Sequence, residues 1–355
     1  MSTDIAGRAA TVRVLNRAFN FLKTATVSLP SVTAVTVLLG LTTLQPARAL
    51  DQLVVAEPNH VVGYLPLYVT QEKGFFAQEG LEVKTMTMEN GSGPTNALLT
   101  GQVFATLGGP EHNAYAKIKG IEIRAIAGVL TRSSVYGVAA VGQGPQPNAD
   151  LASYFKGKKV ATGPYSSTPN SITRYLLAQW KLDAKRDVQL LEIPNVAILA
   201  AIKSEQAQIG FLNDPLLSRG ILGGVWGEPI YSVPRELGPY AFATVNVSKV
   251  TLDKTPEVAA RFVRALSKGL KATYSDPEST LSVAQKLFPT ISAAELKMAV
   301  DRSLADKLWS ADGFVDPAAW SMAEKVVRGA GLLTQDVAYG DIFDMHYIKA
   351  ANRSQ

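Results

Sequence analysis

Short apolar runs with the period of a strand alternate along this chain with runs that have the period of a helix. Leu53-Val54-Val55-Ala56 reads as a buried strand, and Leu81-Glu82-Val83-Lys84-Thr85-Met86 alternates apolar and polar positions as a half-buried strand does. Between them, Leu65 to Lys73 carries helical spacing and stops at Gly74. Further helices are predicted over 95–100 and 111–119, and further strands over 104–107 and 121–129. Such alternation predicts a largely parallel α/β sheet, with ligands at the carboxyl ends of its strands.

Gly142-Gln143-Gly144-Pro145-Gln146-Pro147 breaks this rhythm, just past an extended run from Val135 to Val141. A second α/β pattern follows, with strands over 158–162, 188–193 and 209–212 and helices over 170–180 and 197–204. Tyr240 to Val247 is again extended. From Thr255 onward the chain turns helical almost throughout, with Pro256 opening the first of these helices. Two lobes joined by two crossing strands are the expected architecture, with the C-terminal helices returning to the first lobe. Such a pair of crossings can hinge around a cleft.

Each half carries a polar loop between a strand and a helix: Glu89-Asn90-Gly91-Ser92-Gly93-Pro94, then Gly163-Pro164-Tyr165-Ser166-Ser167-Thr168-Pro169. Gly93 and Thr168 stand as predicted N-caps, each followed by a proline that has no N–H to leave unpaired. A helix start offers free backbone donors and a partial positive charge. Two of them facing each other would hold one small polar or anionic ligand.

Composition narrows the possibilities. There are 355 residues, 47% hydrophobic and 18% charged, enough apolar material for more than one domain. The chain has no cysteine, so disulfides, thiolate metal sites and cysteine nucleophiles are excluded. Arg8, Arg13, Arg17 and Lys23 precede an uncharged apolar stretch that closes on Ala47-Arg48-Ala49, the pattern of a cleavable export signal over 1–49 with cleavage after Ala49. That segment holds five basic residues and one acid, so it supplies +4 of the net charge of +5. The remainder is nearly neutral and shows no basic patch interleaved with aromatics, which argues against a nucleic-acid partner. An exported chain without cysteine fits a periplasm.

The stretch His60-Val61-Val62-Gly63-Tyr64-Leu65-Pro66-Leu67-Tyr68-Val69-Thr70-Gln71-Glu72-Lys73-Gly74-Phe75-Phe76, running on into Glu79-Gly80-Leu81-Glu82-Val83, resembles the opening of periplasmic solute-binding proteins of ABC importers. The likeness is to the nitrate/sulfonate/taurine/thiamine-pyrimidine group, and Leu98 to Ala105 and Lys119-Gly120-Ile121 continue it. The resemblance implies a two-lobed periplasmic-binding-protein fold of type II. Lobe I would span 50–138, lobe II 139–243, and 244–355 would return to lobe I. It implies a non-catalytic, monomeric, cofactor-free trap for a small organic anion or polar heterocycle, which delivers its solute to permease and ATPase subunits. Gly108-Gly109-Pro110-Glu111-His112 departs from the group by placing charge where small polar residues are expected.

The candidate ligand-binding residues are His60, Tyr64, Gly91, Ser92, Gly93, His112, Arg132, Ser166, Ser167, Thr168, Asn213 and Asp214. Hydroxyls and loop amides suit carboxylates, sulfonates and polar heterocycles alike. Arg132 would fork an anion; Asp214 would take an amine or ring N–H, or else cap a helix. His60, His112 and His346 lack metal-ligand spacing. The alternative is an enzyme on the same scaffold, acting in pyrimidine or related cofactor metabolism. Against it, no Gly-x-Ser-x-Gly or His-Glu-x-x-His is present, and the Ser-x-x-Lys at Ser153 lacks its companion motifs.

Overall fold

The computed structural model describes residues 49–88 and 93–354. The leader read over 1–49 lies outside them except for Ala49, as do Gly91 and Ser92 of the first polar loop. No helix among the described residues is long and apolar enough to cross a membrane.

Ten strands form two five-stranded sheets. The first contains β1 (Asp51–Glu57), β2 (Leu81–Thr87), β3 (Ala105–Gly108), β4 (Ile123–Leu130) and β10 (Ala243–Ser248), in the order β2-β1-β3-β10-β4. The second contains β5 (Tyr136–Ala139), β6 (Lys159–Thr162), β7 (Gln189–Glu192), β8 (Ile209–Leu212) and β9 (Tyr231–Ser232), in the order β7-β6-β8-β5-β9. β1, β2 and β3 pair in parallel, as do β6, β7 and β8. β10 runs antiparallel to β3 and β4, and β5 antiparallel to β8 and β9.

Each sheet is therefore largely parallel, as the alternation predicts, but mixed: one strand, β10 in the first and β5 in the second, runs against the other four. The reason lies in the crossings. β5 and β10 are the strands that receive the chain when it changes sheets, and they enter from the opposite direction. The first change takes place between Leu130 and Tyr136, so the whole of β5, pairing from Tyr136 opposite Leu212, belongs to the second sheet. A boundary at residue 138 would cut that strand in two. The return lies between Ser232 and Ala243, with Tyr240 N donating to Thr131 O at 2.9 Å, so the two crossings run side by side.

The core follows from the strand pattern: Val55, Leu107, Ala125, Ile126, Ala127 and Val245 are all buried in the first sheet. Each fully buried Val, Leu or Ile contributes about 1.5–3 kcal/mol. The 20-residue helix Pro256–Ser275 packs on the same lobe, burying Phe262, Val263, Leu266 and Leu270. On its basic side, Arg264 and Lys268 both pair with Glu79, whose carboxyl they hold below its usual range against the opposing effect of burial. Trp309 is buried, donating from Nε1 to Gly63 O at 2.9 Å.

The helices Ala293–Ala305 and Pro317–Gly329 also reach the second lobe. Arg302 on the first of them donates to Asp214 at the end of β8, at 2.6 Å. One turn later, Asp306 accepts from Tyr136 at 2.7 Å and from Arg235 at 2.7 Å.

Candidate functional site

The turn after β3 is built to present a carboxylate. Gly108 O accepts from Thr244 Oγ1 at 3.2 Å and from Asn246 Nδ2 at 3.3 Å, and Asn246 Oδ1 accepts in turn from Asn113 Nδ2 at 2.7 Å. Pro110 then caps the helix Glu111–Ile118, whose first residue is the acid. An acid in the first turn is favoured by the helix dipole. The Glu111 carboxylate folds back over Gly109: a Cβ added there would lie 2.1 Å from Oε2 and 2.4 Å from Oε1.

The matching turn in the second sheet follows β6. Asn170 Nδ2 donates to Gly163 O at 3.1 Å and to Glu192 at 2.9 Å, while Arg174 holds both Asn170 and Glu192. Thr162 and Thr173 share a hydroxyl hydrogen bond of 2.8 Å beneath the loop. Ser166 sits exposed at φ 69°, and this left-handed residue turns the chain into the helix Thr168–Gln179. The cap is Ser167, one residue earlier than the sequence predicts, and its side chain makes no capping bond. Thr168 is thus the first helical residue, and its hydroxyl is free to point away from the helix.

Thr168 uses that freedom to reach the other lobe, donating from Oγ1 to Glu111 Oε1 at 2.6 Å. Around this contact lie four buried polar atoms without a hydrogen-bond partner among the described residues: Glu111 Oε2, Tyr115 Oη, Ser167 Oγ and Tyr240 Oη. Glu111 itself is 1% exposed. Burial chiefly, and the Glu111 charge next, hold the phenols of Tyr115 and Tyr240 protonated far above their usual range. Tyr64 is raised by burial first, then by Glu57 and Glu111. A buried polar group left unpaired costs about 1–3 kcal/mol, and more when charged. Unpaired atoms gathered at one place between the lobes call for an explanation.

Glu57 offers a contrast. It is 1% exposed, yet its carboxylate accepts from Tyr68 at 2.5 Å, from His60 Nδ1 at 2.9 Å and from Thr87 at 3.2 Å. The hydrogen bond to Glu57 outweighs partial burial and raises the His60 pKa. His60 also stacks on Phe288, with ring centroids 4.5 Å apart, and opens onto a groove of about 550 Å³ shared with Gln71, Lys84 and Leu287. All of these residues belong to the first lobe and the helix that returns to it.

The structure thus gathers Tyr64, Ser167 and Thr168 of the sequence candidates around Glu111. His112 is half-buried beside them, with its ring edge-on to Tyr115 at 5.6 Å. Gly93 opens the helix Gly93–Leu99. Arg132 is drawn into the hinge, where Nη1 donates to Pro234 O at 2.9 Å. Asn213 donates to Ser134 at 3.4 Å, in the first crossing. Asp214 accepts from Ser218 N at 3.0 Å and from Arg302, so it caps a helix and pairs with a cation.

Sequence reading left Glu111, Tyr115 and Tyr240 outside the site. Glu111 carried a signal as a charge in an otherwise small-residue turn, and Tyr115 follows it by four residues on the same helix face. Tyr240 had no local signal, because only the return crossing brings it there. No cluster of His, Cys, Asp and Glu fit to hold a metal exists among the described residues.

Residues 61–280 match the model of a family described as NMT1/THI5 like. Over 298 residues the chain is 24% identical to YtlA of Bacillus subtilis, named as a binding protein, covering 83% of this chain and 88% of that one. It is likewise 24% identical over 312 residues to the riboflavin-binding protein RibY of Chloroflexus aurantiacus, covering 82% and 83%. A 4-amino-5-hydroxymethyl-2-methylpyrimidine phosphate synthase of Uromyces fabae is 24% identical over 292 residues, covering 79% and 82%. The solved structure of the alkanesulfonate-binding protein SsuA from Xanthomonas axonopodis pv. citri, bound to MOPS, has the same two-lobed fold. It superposes with a TM-score of 0.64 at 16% identity, covering 83% of this chain and 98% of that one.

Proposed function

Because the chain belongs to the NMT1/THI5-like family, we propose that it is the extracytoplasmic solute-binding component of an ABC importer. It captures a small solute between its lobes and hands it to permease and ATPase subunits. One observation carries the reading: a hydrogen bond between the lobes, from Thr168 to Glu111, lies among buried polar atoms that have no protein partner among the described residues. A solute that satisfies those atoms contacts both lobes at once. It therefore favours the closed form by its difference in affinity for the closed and open forms. Specificity comes from a few polar groups and an aromatic wall.

The rival reading, an enzyme on this scaffold, is supported by the name of the Uromyces fabae relative. The test is a thermal-shift screen of the purified protein against nitrate, taurine, alkanesulfonates, aromatic carboxylates and pyrimidines, with mass spectrometry of each stabilising compound afterwards. A binding component is stabilised by at least one solute, by about 2.7 kcal/mol at a hundredfold excess over Kd, and returns it unchanged. Conversion of that solute into a product would reject the importer reading in favour of an enzyme.

A further inference from the structure

Resting on the reading of the cleft as a solute trap, we propose that the solute presents N–H donors, on a protonated or amino-bearing flat ring, to the Glu111 carboxylate. The charge of the site is the basis. Glu111 is 1% exposed, its Oε1 accepts one hydrogen bond from Thr168, and its Oε2 accepts none among the described residues. It takes part in no ion pair among the described residues. The cations that could have served an anion are engaged elsewhere. Arg132 donates to Pro234 O in the hinge, and Arg174 is held by Glu192 and Asn170.

The remaining groups fit the same ligand. Tyr115 Oη, Tyr240 Oη and Ser167 Oγ are neutral hydroxyls that can donate or accept, so they complete the edge of a ring without adding charge. The rings of Tyr64, Tyr115 and Tyr240 lie near enough to the carboxylate for its charge to raise each phenol, and aromatic side chains attract flat or cationic groups. Gly109 keeps the carboxylate folded into this place, because any Cβ there would collide with it. A sulfonate or carboxylate would instead meet Glu111 as a like charge. At about 4 Å, with the screening usual near a protein surface, that repulsion weakens binding by about 1,000-fold.

The experiment compares isosteric probes on the unaltered protein and on E111Q by calorimetry. Benzamidine and 4-aminopyrimidine supply the N–H donors; benzoate and benzenesulfonate supply the anions. The N–H donors are expected to bind the unaltered protein and the anions not. E111Q should weaken the donors by roughly 10- to 100-fold, the range for a hydrogen bond to a charged group, and erase the discrimination. Anions that bind as tightly as their N–H isosteres would overturn the assignment and leave the solute trap standing. Binding of no probe of either charge would remove both. Loss of both classes equally in E111Q marks a structural role for Glu111 and also overturns the assignment. The benzamidine-to-benzoate affinity ratio of the unaltered protein decides the matter even where E111Q fails to fold.

Discussion

Thr168 Oγ1 donates to Glu111 Oε1 at 2.6 Å, and this hydrogen bond joins two equivalent places in the two lobes. Glu111 opens the helix that follows β3, and Thr168 opens the helix that follows β6. In each sheet that is the carboxyl end of a parallel strand, where backbone loops and helix starts converge on ligands. The pairing of a neutral donor with an acid means that the lobes meet without a salt bridge at this point. The contact is a single hydrogen bond to an acid whose second oxygen has no partner among the described residues.

Thr168→Val keeps the shape of the side chain and removes the donor. A hydrogen bond to a charged group is worth about 1.5–3 kcal/mol, and here it exists only when the lobes are together. The variant should shift the solute-free protein toward an open form with a larger radius of gyration by small-angle X-ray scattering. Its solute affinity should fall by about tenfold or more. An unchanged radius and an unchanged affinity would show that the contact does not bias closure.

Two glycines separate a binding defect from a folding defect. At Gly109 the added Cβ of alanine meets the tip of the Glu111 side chain, which can swing away. Gly109→Ala should therefore cost under about 1 kcal/mol of stability, as most substitutions without a packing defect do, while displacing the carboxylate and abolishing most solute binding. At Gly220 the Cβ meets the indole of Trp226 at 1.9 Å, and that ring is 1% exposed and tied through Nε1 to Leu217 O. Gly220→Ala overpacks the core of the second lobe and should cost about 1–3 kcal/mol or more in urea unfolding. Equal stability losses in the two variants would contradict this division.

Arg302 and Asp214 make the corresponding case for the C-terminal helices. Their side chains are 13% and 11% exposed, and Arg302 also lies 5.8 Å from the centre of the Tyr136 ring. Removing one partner of such a pair leaves a desolvated charge, which in fully buried pairs costs about 3–5 kcal/mol. Since this pair keeps some solvent, Arg302→Met should lose about 2–3 kcal/mol in urea unfolding. Arg302→Met combined with Asp214→Asn should recover part of that loss, because the stranded carboxylate is gone. A double variant no more stable than the single one would assign the loss to the Tyr136 contact.

Much of this architecture was legible because strand and helix periods are local. β1, β2, β6 and β8 follow directly from runs of apolar and alternating residues. The antiparallel course of β5 and β10 was not, since direction depends on where the chain crosses between lobes and leaves no mark on period. The second polar loop, read as a ligand contact, is where Thr168 joins the lobes, but the partners of the other candidates were not legible. Asp214 and Arg132 read as ligand groups because their partners, Arg302 and the Pro234 carbonyl, are 88 and 102 positions away in sequence. Thr168 read as a cap, yet Ser167 holds that place and leaves the threonine hydroxyl for Glu111.

His60 gives a prediction in pH. The hydrogen bond it makes to Glu57 is the largest influence on its ring and raises its pKa above 6.5, against the opposing effect of partial burial. The folded state therefore holds the imidazole proton more tightly than the unfolded state does. The stabilisation is fully present below the unfolded value, about 6.5, and is lost as pH rises through the higher folded value. The neighbours fix the sign: Tyr68 donates to the same carboxylate, and Lys84 shares only the outer groove. Unfolding free energy measured in urea from pH 5 to 9 should fall across this window in the unaltered protein, beyond any slope shared with His60→Gln. Parallel profiles for the two proteins would show that the Glu57–His60 pair does not couple protonation to folding.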